Sequence, residues 1–322
     1  MSTARSEPHM HTRREFAKLT FGGVVAAALR GTRLAAAINS TINGVRIGAI
    51  TYCFRSIPRP GEGDYMDTFI EAYKQTNIGL CELESVRVEP PLGTAGGGRM
   101  PVPVTPEYLA NRQKLREWRM TVPMTRFREI RTKFTNAGIS LFGYVVTFVD
   151  DHTDEEIERT FEAARTLGVG VIGTNQTQTS MAWRLKPFAE KHKIALGWHN
   201  HSNVADIREV ASLDSFARLF AVSPQFKANL DIGHFVGGNN DPIAFIREHH
   251  TRISHLHLKD RKRDNGQNLP WGTGDTPIAE VLKLLKREKY TFPAVIEYEY
   301  VSPEPAVAEV RKCLQFIRTA TA

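Results

Sequence analysis

The chain has 322 residues, with 42 Lys and Arg against 35 Asp and Glu, 41% hydrophobic residues and 24% charged ones. This composition excludes a disordered, collagenous or coiled-coil protein, and the length suits two average domains or one large α/β barrel. Residues 1–37 carry a charge of +4 out of a total of +7, so the remaining body is close to neutral at +3, and its three scattered cysteines (Cys53, Cys81, Cys313) form neither a disulfide framework nor a thiolate zinc site.

The first predicted segment is an address. Thr12-Arg13-Arg14-Glu15-Phe16-Ala17-Lys18 precedes a mild apolar stretch, Leu19 to Leu29, and then small residues at Ala35-Ala36-Ala37. A basic region, a short apolar region and a small-residue cleavage site make a secretory signal, and the paired arginines are similar to a twin-arginine export signal. The sequence therefore predicts cleavage after about Ala37, passage through the twin-arginine machinery and a periplasmic location. An uninterrupted apolar run of about 18 residues is absent, which argues against a stable membrane anchor. Residues 38–322 are then a single catalytic domain.

From residue 44 onward, short apolar strands alternate with amphipathic helices. The pattern predicts strand Arg46–Cys53, helix Tyr65–Thr76 and strand Leu80–Leu83. An irregular Pro- and Gly-rich stretch, Pro90–Pro106, leads to helix Glu107–Arg119. Helix Arg126–Asn136 and strand Ser140–Phe148 follow. Thr153-Asp154-Glu155-Glu156 reads as a capping box opening a helix to Leu167, closed by Gly168. Then come strand Val169–Thr174, helix Trp183–His192, strand Ile194–Asn200, helix Ser212–Phe220, strand Phe226–Asp231, helix Pro242–His249 and strand Ile253–Lys259. A helix opened by Asp275-Thr276-Pro277 runs to Lys289, with strand Phe292–Tyr298 and helix Glu304–Arg318 last. No antiparallel hairpin signal is read. Eight βα units predict a closed (β/α)8 TIM barrel; the rival, an open doubly wound sheet, wants a Gly-rich turn that Tyr52-Cys53-Phe54-Arg55 does not offer.

In such a barrel the chemistry lies at the C-terminal ends of the strands. The fifth strand ends Gly197-Trp198-His199-Asn200-His201, the sixth Asn229-Leu230-Asp231-Ile232-Gly233-His234, the seventh His255-Leu256-His257-Leu258-Lys259-Asp260 and the eighth Val295-Ile296-Glu297-Tyr298-Glu299. Alternation puts His199 with His201, His257 with Lys259, and Glu297 with Glu299 on inward faces. Each taken singly has a bland reading, as a hydrogen-bonded core histidine or a lysine–glutamate pair. Four consecutive strands sending ionisable groups to one pole is harder to satisfy without a cation, and imidazole plus carboxylate suits a divalent metal.

The same motifs resemble the sugar phosphate isomerase/epimerase family of the xylose-isomerase-like barrels, over roughly residues 45–318, and Trp271-Gly272-Thr273-Gly274-Asp275 resembles that family's loop before its seventh helix. The resemblance implies one divalent ion (Mn, Zn, Mg, Co or Fe) held by Asp231, His257 and Glu297, with His199 where the family often has a Glu. It implies catalytic roles for Glu297, for His234 reaching over the metal and for Lys259 facing substrate. His201, Glu82 and Glu299 are implied substrate contacts, with Glu84 a rival to Glu82. The activity implied is a metal-dependent sugar isomerase or epimerase, acting by proton abstraction next to a carbonyl of a sugar or keto-sugar. The alternatives are a lyase or hydratase on 3-keto-glycosides with the same site and a non-catalytic periplasmic sugar-binding barrel. An endonuclease IV-like phosphodiesterase is disfavoured by the near-neutral body, so no nucleic acid is expected. A homo-oligomer is left open.

Overall fold

The computed structural model describes residues 35–322 apart from 94, 96–100 and 102. The expected signal segment lies outside the described residues except for Ala35–Ala37, which are exposed.

The chain enters through a small antiparallel hairpin, β1 (Thr41–Ile42) on the start of β2 (Val45–Ile50). This corrects the expectation of no hairpin. The signal was Asn43-Gly44, whose φ values of 48° and 90° suit the two-residue primed turn that such a pair favours. Seven further parallel strands follow: β3 (Leu80–Glu84), β4 (Ser140–Val146), β5 (Val171–Thr174), β6 (Ala195–His199), β7 (Phe226–Asp231), β8 (Ile253–Leu258) and β9 (Ala294–Ile296). They pair in sequence order, and β9 returns to β2 with Ile47 opposite Ala294. The closed eight-stranded α/β barrel is the architecture the alternation predicted. Several strands stop short of their predicted ends: β2 gives way at Thr51 to a single 3-10 turn, Thr51–Phe54, and β9 is only three residues long.

Helices cover the barrel, and several start where a side chain takes up free N–H groups, as at Asp64, Thr105, Thr153, Ser212 and Asp241. Thr153 and Glu156 form the predicted capping box of helix Asp154–Leu167, which ends on Gly168 at φ 78°. Asp64 caps helix Tyr65–Thr76 and pairs with Arg126 of helix Met124–Asn136 at 2.9 Å. Helix Pro106–Thr121, which follows the irregular stretch, presents Arg112, Arg116 and Arg119 on one face. These reach Asp151, Glu156 and Glu89 at 2.8 Å each, clamping the helix to its neighbours. Trp198 points out of the barrel into the helix layer and meets Phe226 edge-on at 5.4 Å. Among the described residues no helix is long and apolar enough to cross a membrane.

Candidate active site

Parallel strands buried on both faces are apolar along most of their length, and the late strands here gather ionisable groups toward their C-terminal ends. Asp231 closes β7, His199 closes β6, His257 lies near the end of β8, and Lys259 and Glu297 follow β8 and β9 directly. All five are buried. His199, His257, Lys259 and Glu297 floor a cavity of about 280 Å³ whose wall includes Tyr52, Glu84, Arg87, His201, His234 and Glu299.

Below that floor the barrel holds a polar layer. Glu82 is wholly buried; its Oε1 lies 3.0 Å from His255 Nε2 and its Oε2 2.7 Å from His257 Nε2. Room for it comes from glycines on β4, β5 and β6. A Cβ at Gly173 would stand 2.8 Å from Glu82 Oε1, and one at Gly143 3.1 Å from Glu82 Cγ. The Nδ1 of His255 meets the Ser254 hydroxyl, and burial pushes this histidine below its ordinary range despite Glu82. Burial would raise Glu82, but His255 and His257 hold it down at about 2.

The upper layer is rich in carboxylates. His257 faces Glu82 through Nε2 and Glu297 through Nδ1, the latter at 2.9 Å. Both ring nitrogens meet acceptors, and the two carboxylates outweigh burial to raise His257 to about 10. The Lys259 ammonium lies 2.7 Å from Glu299, 3.0 Å from Asp231 and 3.2 Å from Glu297. Burial pushes Asp231 above the ordinary carboxylate range in spite of Lys259. Glu297, on which burial acts the same way, is held well below it by Lys259 and His257. Three carboxylates thus share one ammonium, and a further cation would relieve the cluster.

The donor set fits a divalent ion. Ligand atoms of His199, Asp231, His257 and Glu297 all lie within 4.8 Å of one another. Nitrogen and oxygen ligands at 2.0–2.2 Å from a metal are at most about 4.4 Å apart, so a small contraction closes the site. Nδ1 of His199 is buried without a hydrogen-bond partner, and burial keeps that ring neutral, as ligation requires. If His257 ligates through Nδ1, its Nε2–H remains for Glu82, the carboxylate–histidine arrangement that orients metal ligands.

The structure brings together the four residues expected as ligands and sets His201, His234 and Glu299 in the cavity wall. It corrects one expectation. Glu82 does not line the cavity: it lies a layer lower, holding two histidines, while the rival Glu84 lines the wall, bonded to Thr51 and Arg87. Lys259 lines the cavity as expected, with its ammonium held by the three carboxylates. Sequence reasoning also missed Tyr52, Arg87 and Arg261, the last of which meets His234 Nδ1 at 2.5 Å. Arg261 follows the Lys259-Asp260 pair directly, and that adjacency was the available signal.

The family described as xylose isomerase-like TIM barrel matches residues 148–320, which carry β5–β9 and all four candidate metal ligands. Among curated proteins, a putative L-ribulose-5-phosphate 3-epimerase UlaE of Shigella dysenteriae serotype 1 (strain Sd197) is 24% identical over 185 residues. The match spans 58% of this chain and 58% of that protein. Among solved structures, the apo form of 3-keto-D-glucoside 4-epimerase YcjR from E. coli superposes with a TM-score of 0.56 at 12% identity, covering 85% of this chain and 99% of the other. The IolI protein with a bound zinc atom gives a TM-score of 0.55 at 11% identity, over 86% and 96%. With the family match covering more than half of its length, this chain belongs to the xylose isomerase-like TIM-barrel family.

Proposed function

We propose that this protein is a divalent-metal-dependent enzyme of the sugar isomerase/epimerase type, moving a proton on the carbon next to a carbonyl of a sugar or keto-sugar. The observation that carries this reading is the convergence of His199, Asp231, His257 and Glu297, three of which floor a polar cavity. The names of two similar proteins, a ketose-phosphate epimerase and a 3-keto-glucoside epimerase, support it. A zinc atom in a protein of like fold supports the metal.

When bound, the ion supplies Lewis acidity toward substrate oxygens. The chain's own residues do the rest. Lys259 and His257 keep Glu297 ionised, so this carboxylate is ready to accept a proton from a carbon above the floor. His234 and His201 face the same space and donate to oxygens on which charge develops. Glu84, whose carboxyl burial pushes up, borders the cavity as a second group able to return a proton. Isomerisation, epimerisation and β-elimination share the first of these steps, so a lyase acting on 3-keto-glycosides would use the same residues.

The reading includes export by the twin-arginine route to the periplasm, on the strength of Arg13-Arg14 and Ala35–Ala37 alone. Metal analysis of protein purified from its export compartment, followed by a keto-sugar panel with and without chelator, tests the function. Turnover that is lost to chelator and restored by one ion per chain is the expected result; turnover unaffected by full metal removal refutes it.

A further inference from the structure

A second group of imidazoles competes with the floor for a metal. Ligand atoms of His199, His201 and His234 also lie within 4.8 Å of one another, so distance alone does not say whether His234 is a ligand. Its other partner decides. Nη1 of Arg261 lies 2.5 Å from His234 Nδ1. A guanidinium only donates, so Nδ1 must accept and the single ring proton must sit on Nε2. To ligate through Nε2, His234 would have to move that proton to Nδ1, setting N–H against N–H. To ligate through Nδ1 it would have to displace Arg261.

Arg261 is poorly placed to yield. Nη1 also donates to Ser202 Oγ at 2.8 Å, Nε to the Gly266 carbonyl at 2.6 Å, and Nη2 to Asn265 Oδ1 at 2.8 Å. The Asn265 amide in turn donates to the Gly237 carbonyl at 2.7 Å, which ties the cage to the last turn of the short helix Ile232–Gly237 that carries His234. The far side of the ring is open: Nε2 is 3.8 Å from Glu299 Oε2, too long for a hydrogen bond, and His234 borders the cavity.

We infer that Arg261 is a positioning residue that fixes His234 as the Nε2–H tautomer, keeping it out of the metal's coordination sphere and aiming its N–H at a substrate oxygen. The role of that N–H in turnover rests on the function proposed above; the tautomer does not. His234 is then a hydrogen-bond donor in neutral form, and it takes no proton from the substrate carbon.

The test uses full-length protein labelled with 15N in histidine, with the His234 signals assigned by loss in His234→Gln. Wild type should show Nδ1 unprotonated and Nε2 protonated. Arg261→Lys, which keeps a donor, should retain that tautomer, and Arg261→Met should shift it toward Nδ1–H. On a substrate the wild type turns over, Arg261→Met should lose about 10²-fold in kcat with KM little changed, the scale of a misplaced proton-donating group, and Arg261→Lys should recover part of the loss. A wild-type spectrum with Nδ1 protonated overturns the inference, as does an unchanged tautomer in Arg261→Met. Should Arg261→Met fail to fold, the wild-type and Arg261→Lys spectra still decide. Should no sugar be turned over, the spectra stand and only the proposed function falls.

Discussion

Asp260 is the residue on which the mouth of the barrel hangs. Its carboxylate is 1% exposed and accepts four backbone N–H groups: Oδ2 takes those of Gly272 at 2.7 Å, Gly274 at 2.9 Å and Thr273 at 3.1 Å, and Oδ1 takes that of Thr276 at 3.2 Å. Asp260→Ala removes all four acceptors at once. Gly272 and Thr273 are exposed, so water takes over their N–H groups and each change costs little. Thr276 is buried and Gly274 half-buried, and a buried donor left without a partner costs about 1–3 kcal/mol. The expected loss is therefore about 3 kcal/mol, which lowers Tm by roughly 6–10 °C in a domain of this size. Asp260→Asn is the sharper probe. Its single oxygen can serve the three-donor side, leaving the amide N–H to confront Thr276, so about half the loss is expected. Differential scanning calorimetry of the three proteins gives the order. An Asp260→Ala melting point within about 2 °C of wild type, or an Asn variant no better than Ala, would falsify the carboxylate-anchor account.

Other outcomes follow from the same geometry. Asp231→Ala should lose bound metal, read by elemental analysis, while His234→Ala should keep it and lose about 10²-fold or more in turnover. Arg126, aided by Lys133, holds the Asp64 carboxyl below its ordinary range. Its contribution to stability is thus present above the unfolded value near 4 and disappears as pH falls through the folded one. Asp64→Asn should therefore cost about 1 kcal/mol in urea unfolding at pH 7, with the gap to wild type shrinking below pH 4; a gap that widens in acid contradicts the pairing. Replacing Arg13 and Arg14 by Lys should trap precursor in the cytoplasm, and secreted wild type should begin near Ile38, both checked by fractionation and N-terminal sequencing.

Much of this arrangement was legible because a parallel barrel imposes two simple rules. Alternation along β8 separates Leu256 and Leu258 from His255, His257 and Lys259, and strand order brings β6–β9 to one pole, so spacing marked the pole while the family resemblance singled out the ligand candidates on it. Depth was not legible. Glu82 and Glu84 share a face of β3, and only the missing side chains at Gly143 and Gly173 tell that the lumen beside Glu82 is open enough for a carboxylate. Helix Ile232–Gly237 was hidden as well. Two of its six residues are glycine, and its start depends on the Asp231 side chain accepting the His234 N–H at 2.6 Å, a cap that resembles a metal ligand in sequence. Burial of the Lys259 ammonium among three carboxylates is a property of the closed barrel, since they come from β7 and from the segment following β9.

The polar layer beneath the cavity has a consequence for attempts to reshape the cavity for a new ligand. Glu82 on β3 reaches across the lumen to two histidines of β8, so the two strands are cross-braced, with Gly143 and Gly173 leaving room for Glu82 and Gly197 for His255. A mutational tolerance map should therefore be inverted in depth. Positions such as Tyr52 and Asn175, which line the cavity, should tolerate substitution. The lumen glycines, which touch no ligand, should accept almost nothing: a methyl at Gly197 would stand 2.7 Å from Ser254 Oγ and 3.3 Å from the His255 ring. Libraries built around a new ligand should randomise the rim and leave these glycines fixed, because a substitution there reaches His255 and His257 through the brace.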